Sequence, residues 1–230
     1  MQKNNSKQDE KELIEYYNKF VARQEEFGVN ERHKSIVKRS LERGLKSNHN
    51  VLEIGCGIGT LTSLLIPELS QGKLTAIDIS DESIVTAKKK LGHYSNLTLI
   101  DGNAVEYDFK GELFDFIVLP DVLEHIPFEF HNALFNRLNN LLKEGGKVLI
   151  HIPNPYHSDW WRALDRPMQI IDLSVHLPIV IENLKNTGLH ITFLEIYSVW
   201  LNEGEYQFIE LQKESKYSNF TNITVNKSFA

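Results

Sequence analysis

V-L-E-I-G-C-G-I-G-T, Val51 to Thr60, is the stretch whose reading decides the fold. Val51, Leu52 and Ile54 make a short apolar run, Gly55, Gly57 and Gly59 follow at every second position, and Leu61, Leu64 and Leu65 then recur at helical spacing. That is a strand, a tight turn and a helix. Glycine in the turn accepts positive φ and lets the backbone approach a ligand closely, while amides opening the helix face whatever the turn encloses. The stretch therefore reads as a cradle for a small polar ligand.

Working outward, Lys73 to Ile77 is a second apolar strand ending at Asp78, where the second strand of a doubly wound sheet exposes its carboxyl end beside the glycine turn. A carboxylate there is placed to accept both hydroxyls of a ribose. Ser83 to Leu91 reads as a helix whose Lys88, Lys89 and Lys90 form a solvated face. Leu97 to Ile100 is a third strand, followed by D-G-N-A, Asp101 to Ala104. Phe114 to Leu119 is a fourth and runs into L-P-D-V-L-E-H-I-P, Leu119 to Pro127, where Pro120 breaks the ladder and Asp121, Glu124 and His125 bring ionisable groups to the cleft. Ala133 to Leu142 is a helix closed by Gly145 and Gly146, and Lys147 to Ile152 is a fifth strand with His151 near its end. Val175 to Asn186 is a helix, and His190 to Val199 and Tyr206 to Leu211 are two more strands, antiparallel because their connection is so short. The alternation predicts an α/β fold: a doubly wound, seven-stranded, mostly parallel sheet with its last strand antiparallel.

Three segments lie outside that rhythm. Residues 1–12 are polar, without periodic apolar positions, and are expected to be a flexible terminus. Residues 13–48 read as two helices that cover one edge of the sheet, or whose Tyr16, Tyr17 and Phe20 help to close the site. Residues 153–174 interrupt the alternation and are rich in aromatic and cationic side chains, including Tyr156, Trp160, Trp161, Arg162 and Arg166, which suggests a lid over a substrate. Packing is the competing role for the two tryptophans. The body, 13–212, is expected to be a single domain, and the tail, 213–230, carries no pattern that assigns it.

Composition narrows the classes. At 230 residues, 41% hydrophobic, the chain can bury one core. A net charge of −6 gives no electrostatic footprint for nucleic acid, which argues against such a partner. The single cysteine, Cys56, excludes an internal disulfide and suits a space-filling place in the turn. With no apolar leader and no run of eighteen apolar residues, the chain reads as soluble, cytoplasmic and without a membrane partner. Oligomeric state is not legible.

A G-x-G turn with a carboxylate ending the next strand suits any ligand presenting a ribose diol, but the third glycine of a dinucleotide fingerprint is Thr60 here. Val51 to roughly Leu211 resembles the class I S-adenosylmethionine-dependent methyltransferases, in the branch that includes the ubiquinone-biosynthesis enzymes. V-L-E-I-G-C-G-I-G-T, A-I-D-I-S, D-G-N-A, F-D-F-I-V-L-P-D-V-L-E-H-I and L-K-E-G-G-K-V-L-I-H-I-P carry the likeness. It implies a Rossmann-like methyltransferase fold and S-adenosyl-L-methionine as cofactor. Gly55, Gly57 and Gly59 would surround its methionine and ribose part, with Glu53 supporting the turn; Asp78 would hold the ribose hydroxyls and Asn103 and Ala104 meet the adenine, with Ile79 and Pro120 further cofactor contacts. Asn103 departs from the family, which most often has aspartate there. The acceptor is expected to be a small molecule, methylated at oxygen before nitrogen or carbon, with His125 as general base, His151 its rival, and Tyr16, Tyr17, Glu124 and the lid residues as substrate contacts. A protein acceptor, less readily RNA, and a non-catalytic binding module are the alternatives. In some quinone-pathway relatives the residues matching Glu124 and His125 help to bind a metal; one Glu–His pair is too few ligands to expect a metal here.

Overall fold

A computed structural model describes residues 2–166 and 169–213, with side chains from Lys11 onward. The strands are β1 (Asn50–Ile54), β2 (Lys73–Asp78), β3 (Leu97–Asp101), β4 (Phe114–Pro120), β5 (Leu142–Pro153), β6 (Leu189–Tyr197) and β7 (Tyr206–Lys213). They form one seven-stranded sheet in the order β3-β2-β1-β4-β5-β7-β6. The first five are parallel to their neighbours among themselves, and β7 runs antiparallel to both β5 and β6. The expected doubly wound α/β sheet with an antiparallel end is what forms. Its order reverses between β1 and β4, and sheets of this kind bind ligands outside the carboxyl ends of the strands at that crevice.

The helices are α1 (Gln2–Phe27), α2 (Glu31–Glu42), α3 (Thr62–Leu65), α4 (Asp81–Leu91), α5 (Phe128–Leu141), α6 (Pro155–Ala163) and α7 (Leu177–Leu184). Alternate strand residues face opposite sides, so a sheet covered on both faces needs two cores. Leu52, Ile117, Leu119, Val148 and Ile150 pack against Leu134, Phe135 and Leu138 of α5 and Val180 of α7. Val51, Phe116, Val118 and Leu149 pack against Ile36 and Val37 of α2 and Leu65 of α3. Strands this apolar leave most polar chemistry to the strand ends, with Glu53 of β1 and Glu210 of β7 the buried carboxylates within them.

Local structure departs from the expectation in four places. The first helix extends back to Gln2 and takes in most of the polar 1–12 stretch expected to be irregular, because its Gln, Lys and Glu residues are good helix formers that prolong a helix already nucleated further on. After the glycine turn the helix lasts one turn before Pro67 tightens it into a 3₁₀ turn, Ile66–Glu68. β5 starts at Leu142, directly at the end of α5, and residues 143–146 are an excursion within its pairing to β4. The stretch read as an irregular lid opens with α6, started by Pro155 in the first turn and by Asn154, whose side chain accepts the Tyr156 amide. Met168 of the expected lid and the tail beyond Lys213 lie outside the described residues.

Gly59 ties the turn to α4. Its φ is +82°, and a Cβ there would lie 2.6 Å from Leu91 Cδ1 and 3.4 Å from Ala87 Cβ. Gly59→Ala is expected to lose about 1–2 kcal/mol from the left-handed backbone alone, which in a chain of this size lowers the melting temperature by roughly 2–4 °C per kcal/mol. An unchanged melting curve would mean that the turn does not hold this conformation.

Candidate active site

The glycine turn is laid on the end of β2: Gly55 N–H and Cys56 N–H both donate to Ile77 O, at 2.8 and 3.2 Å. Asp78 then grips the turn. Its Oδ2 accepts Gly57 N–H at 2.7 Å and its Oδ1 accepts Ser80 N–H at 2.9 Å. Burial pushes the Asp78 carboxyl up, and the two N–H donors pull the other way. A Cβ on Gly55 would sit 2.3 Å from Val122 Cγ2, so the loop after β4 crosses the turn at a distance only glycine permits. Glu53, fully buried beneath it, accepts the Thr62 hydroxyl at 2.7 Å through Oε2, while Oε1 has no partner. Burial pushes its carboxyl up to about 8. Ile79 is half-buried at the end of β2, and Ala104 is buried after β3. Asn103 Oδ1 accepts the Val105 amide at 3.0 Å and so closes its own turn. Cys56 is buried and its thiol is pushed well up, which fits the space-filling role.

A second cluster sits across the crevice, at the ends of β4 and β5. Pro120 pairs with His151 across the two strands, and Asp121 follows with φ +55°, an uncommon conformation for a residue with a side chain. That twist aims the carboxylate back at the sheet. Asp121 Oδ1 meets His151 Nδ1 at 2.7 Å, and Oδ2 meets Arg32 Nη1 of α2 at 2.7 Å. Burial would raise the Asp121 carboxyl, but Arg32 and then His151 outweigh it and hold it below the usual carboxylate range. An ionised carboxylate only accepts, so His151 Nδ1 carries the proton; its Nε2 is buried without a partner. The whole His151 side chain is inaccessible.

Glu124 and His125 lie on the 3₁₀ turn Leu123–His125. His125 Nδ1 is 2.6 Å from Ile171 O, and a carbonyl only accepts, so Nδ1–H donates and Nε2 keeps the lone pair. Burial lowers the His125 pKa, against the pull of that carbonyl. Glu124 is pushed well above the carboxylate range by burial and then by the charge of Asp121, and its Oε2 has no partner. His131 of α5 fixes the turn from below, its Nε2 within 3.1 Å of Leu123 O and 2.8 Å of Ile126 O. From above, Leu173 N–H donates to Glu124 O at 2.9 Å. The Tyr17 ring of α1 lies 6.3 Å from the His125 ring, and burial, then Glu124, push its hydroxyl pKa up.

The structure thus gathers Glu53, the three glycines and Asp78 on one side of the crevice, and Pro120, Glu124, His125, His151 and Tyr17 on the other. Tyr16 stands edge-on to Tyr17, at 5.3 Å between ring centroids. The lid residues are not gathered with them. Tyr156 and Trp160 are 71% and 49% exposed. Arg162, expected to reach an anionic group, is instead bonded to Asp159, Ser174 Oγ and Asp172 O, and Arg166 lies over the Trp161 ring. That outer polar network, which also takes in His176, turns the Tyr156–Trp160 face of α6 to solvent. What the 153–174 insertion brings to the site is main chain, at Ile171 and Leu173. The sequence carries no signal for Arg32, whose partner Asp121 is remote in the chain, for His131, which closes on the nearby carbonyls of Leu123 and Ile126, or for Gln24, which lies over Gly57. Among the described residues no three His, Cys, Asp or Glu side chains are grouped to hold a metal ion, and no helix is long and apolar enough to cross a membrane.

Residues 51–146 match the family model described as a methyltransferase domain. Malonyl-[acyl-carrier protein] O-methyltransferase 1 of Ilyobacter polytropus is 27% identical over 140 residues, 61% of this chain and 51% of that protein. Demethylmenaquinone methyltransferase of Staphylococcus aureus is 31% identical over 121 residues, 52% of this chain and 49% of the relative. The chain spans about half the length of the curated relatives it matches. Among solved structures, the N-methyltransferase NodS of Bradyrhizobium japonicum, in complex with S-adenosyl-L-homocysteine, superposes with a TM-score of 0.62 at 20% identity, over 80% of this chain and 87% of that one. At that identity the likeness speaks for the fold.

Glu53 makes a pH prediction. Its folded-state value of about 8 stands above the roughly 4.3 of an exposed glutamate, so between those values the folded chain keeps a proton that the unfolded chain has released. Stability therefore falls as pH rises through that window. Glu53→Gln is permanently neutral and can still accept the Thr62 hydroxyl, so it is expected to raise the melting temperature at pH 8 and to do less at pH 5. Equal shifts at both pH values would mean that Glu53 is ionised in the folded chain.

Proposed function

We propose that this chain, whose residues 51–146 are a methyltransferase domain of the class I S-adenosylmethionine-dependent type, transfers a methyl group to an oxygen atom of a small molecule. The observation that carries the reading is the Asp78 carboxylate held on Gly57 N–H at the crevice between β1 and β4. Each Asp78 oxygen accepts one backbone N–H and keeps a second lone pair, which suits the two hydroxyls of a ribose. Ile79, Asn103, Ala104 and Pro120, at the ends of β2, β3 and β4, complete the proposed adenosine side, and Gly55 and Gly57 the proposed amino-acid side. S-adenosylmethionine supplies, when bound, a methyl group already activated by its sulfonium.

What remains for the protein is to align the acceptor, exclude water and take a proton. His125 is the proposed base: the Ile171 carbonyl fixes its proton on Nδ1, and burial keeps Nε2 unprotonated at neutral pH. Asp121 is proposed to orient His151, whose side chain has no access to solvent, which makes it the poorer base. A small acceptor is favoured because Glu124 and His125 lie under α1 and the 171–173 chain, where a molecule enters more readily than a macromolecular surface. The net charge of −6 also disfavours RNA.

Incubation with methyl-labelled cofactor and separate small-metabolite, protein and RNA fractions tests the acceptor class; label found in the protein or RNA fraction alone would overturn the small-molecule reading. Asp78→Ala is expected to weaken S-adenosylhomocysteine binding at least about tenfold, since hydrogen bonds to a charged group contribute roughly 1.5–3 kcal/mol. Calorimetric titration reads this, and equal affinities would show the ribose site misplaced. Once the acceptor is known, His125→Ala should lower turnover about a hundredfold with cofactor affinity unchanged, and His151→Ala should do less. Protonation removes the base, and the His125 pKa is lowered, so the acid limb of the wild-type rate profile is expected below the ordinary histidine value of about 6.5. A limb centred above that value would assign the base elsewhere.

A further inference from the structure

We propose that α1 is a clamp on the amino-acid end of the cofactor, with Gln24 and Tyr17 as its direct contacts. This rests on the reading of the cradle as an S-adenosylmethionine site. Three observations carry it. First, α1 is held to the body without a core: none of its described side chains is fully buried, and none joins either apolar cluster. Its anchors are polar and surround the cradle: Asn18 bridges Ser80 Oγ at 2.6 Å and Asp81 Oδ1 at 3.0 Å, and Glu25 pairs with Lys90 at 3.1 Å. A helix attached this way belongs to the part of a fold that opens at low free energy.

Second, α1 crosses directly over the turn. A Cβ on Gly57 would lie 2.7 Å from Gln24 Nε2 and 3.0 Å from Gln24 Oε1. The amide of Gln24 therefore sits above the residue whose N–H is gripped by Asp78. Third, the polar atoms there lack partners: Gln24 Oε1, Tyr17 OH and Glu53 Oε1 are all buried without a hydrogen bond. Buried polar groups are nearly always paired; Gln24 Oε1 above Gly57 and Glu53 Oε1 beneath the turn, with Tyr17 OH of the same helix as Gln24 facing Glu124 and Asp78 across the crevice, mark a place built for something else to bind. The chemistry of the orphans identifies it. An amide oxygen accepts from an ammonium and a phenol donates to a carboxylate, so the pair matches a zwitterionic amino acid. The adenosine end is assigned to Asp78 and the ends of β2 to β4. Cofactor binding and docking of α1 are then one coupled event: whatever satisfies these atoms also holds the helix down.

The test compares two ligands on the full chain. S-adenosylhomocysteine carries the amino-acid end; 5′-methylthioadenosine has the same ribose and adenine without it. Calorimetric titration of Gln24→Ala and Tyr17→Phe is expected to show about tenfold weaker binding of S-adenosylhomocysteine, with unchanged binding of methylthioadenosine. Hydrogen exchange of the 12–27 amides should slow with the first ligand and not with the second. Wild-type affinity for S-adenosylhomocysteine in both variants, or equal loss for both ligands, overturns the clamp and leaves α1 as a mere cover. Failure of the wild-type chain to bind either ligand is a different result: it overturns the cofactor reading itself, and the clamp with it.

Discussion

The bond from Gly57 N–H to the Asp78 carboxylate is the constraint on which the working edge of this molecule depends. It fastens the turn after β1 to the end of β2, and through Ser80 N–H the same carboxylate opens α4, so that three elements meet at one side chain. Neither could be displaced without orphaning a buried amide, which costs more than a typical hydrogen bond contributes. The glycines are what let the turn come this close. With Gly55 pressed against Val122 of the β4 loop, the turn also fixes where Asp121, Glu124 and His125 begin.

The sheet and its cradle were legible in the sequence because both are local patterns. Apolar runs ending at Gly55 and at Asp78, and turn residues between them, report strand ends whatever else the chain does. The cluster at the ends of β4 and β5 was only half legible. His125 and His151 stood out as ionisable residues at strand ends, but Arg32, 89 positions before Asp121 in the sequence, carries no local signal that it will close on it. His131 lies just before the helix expected over Ala133 to Leu142 and drew no reading of its own; only the fold shows it under the turn that carries Glu124 and His125. Composition says little about how the 153–174 stretch meets the site. Its aromatic and cationic residues draw attention to Trp160 and Arg162, whereas the contacts to the turn of Glu124 and His125 come from the backbone of Ile171 and Leu173, which composition does not report.

The electrostatics of that cluster are balanced by position. Arg32 compensates Asp121 and holds this carboxylate low although it is buried, and the negative charge of Asp121 adds to burial in pushing the Glu124 carboxyl up. Two acids of similar chemistry three residues apart are thereby pushed in opposite directions.

The position of Arg32 is in turn set by the rest of α2, which explains why the helix lies where it does. Arg32, Arg39 and Arg43 fall seven and four positions apart and so share one face. Arg39 forks onto Glu195 of β6 at 2.8 and 3.1 Å and lies 3.4 Å over the Tyr197 ring, and Arg43 forks onto Glu210 of β7 at 2.8 and 3.3 Å, over Phe193. Paired forks of this kind fix direction as well as distance. Because β7 is the strand that pairs with β5, and His151 belongs to β5, the antiparallel end of the sheet holds this histidine from one side, and Asp121, itself held by Arg32, from the other. Removing an arginine far from the crevice would therefore loosen α2 as a lever, and Arg32 with it, before it disturbed the apolar core beneath. The antiparallel end thus serves the site as its support, although it contributes no side chain to the cradle.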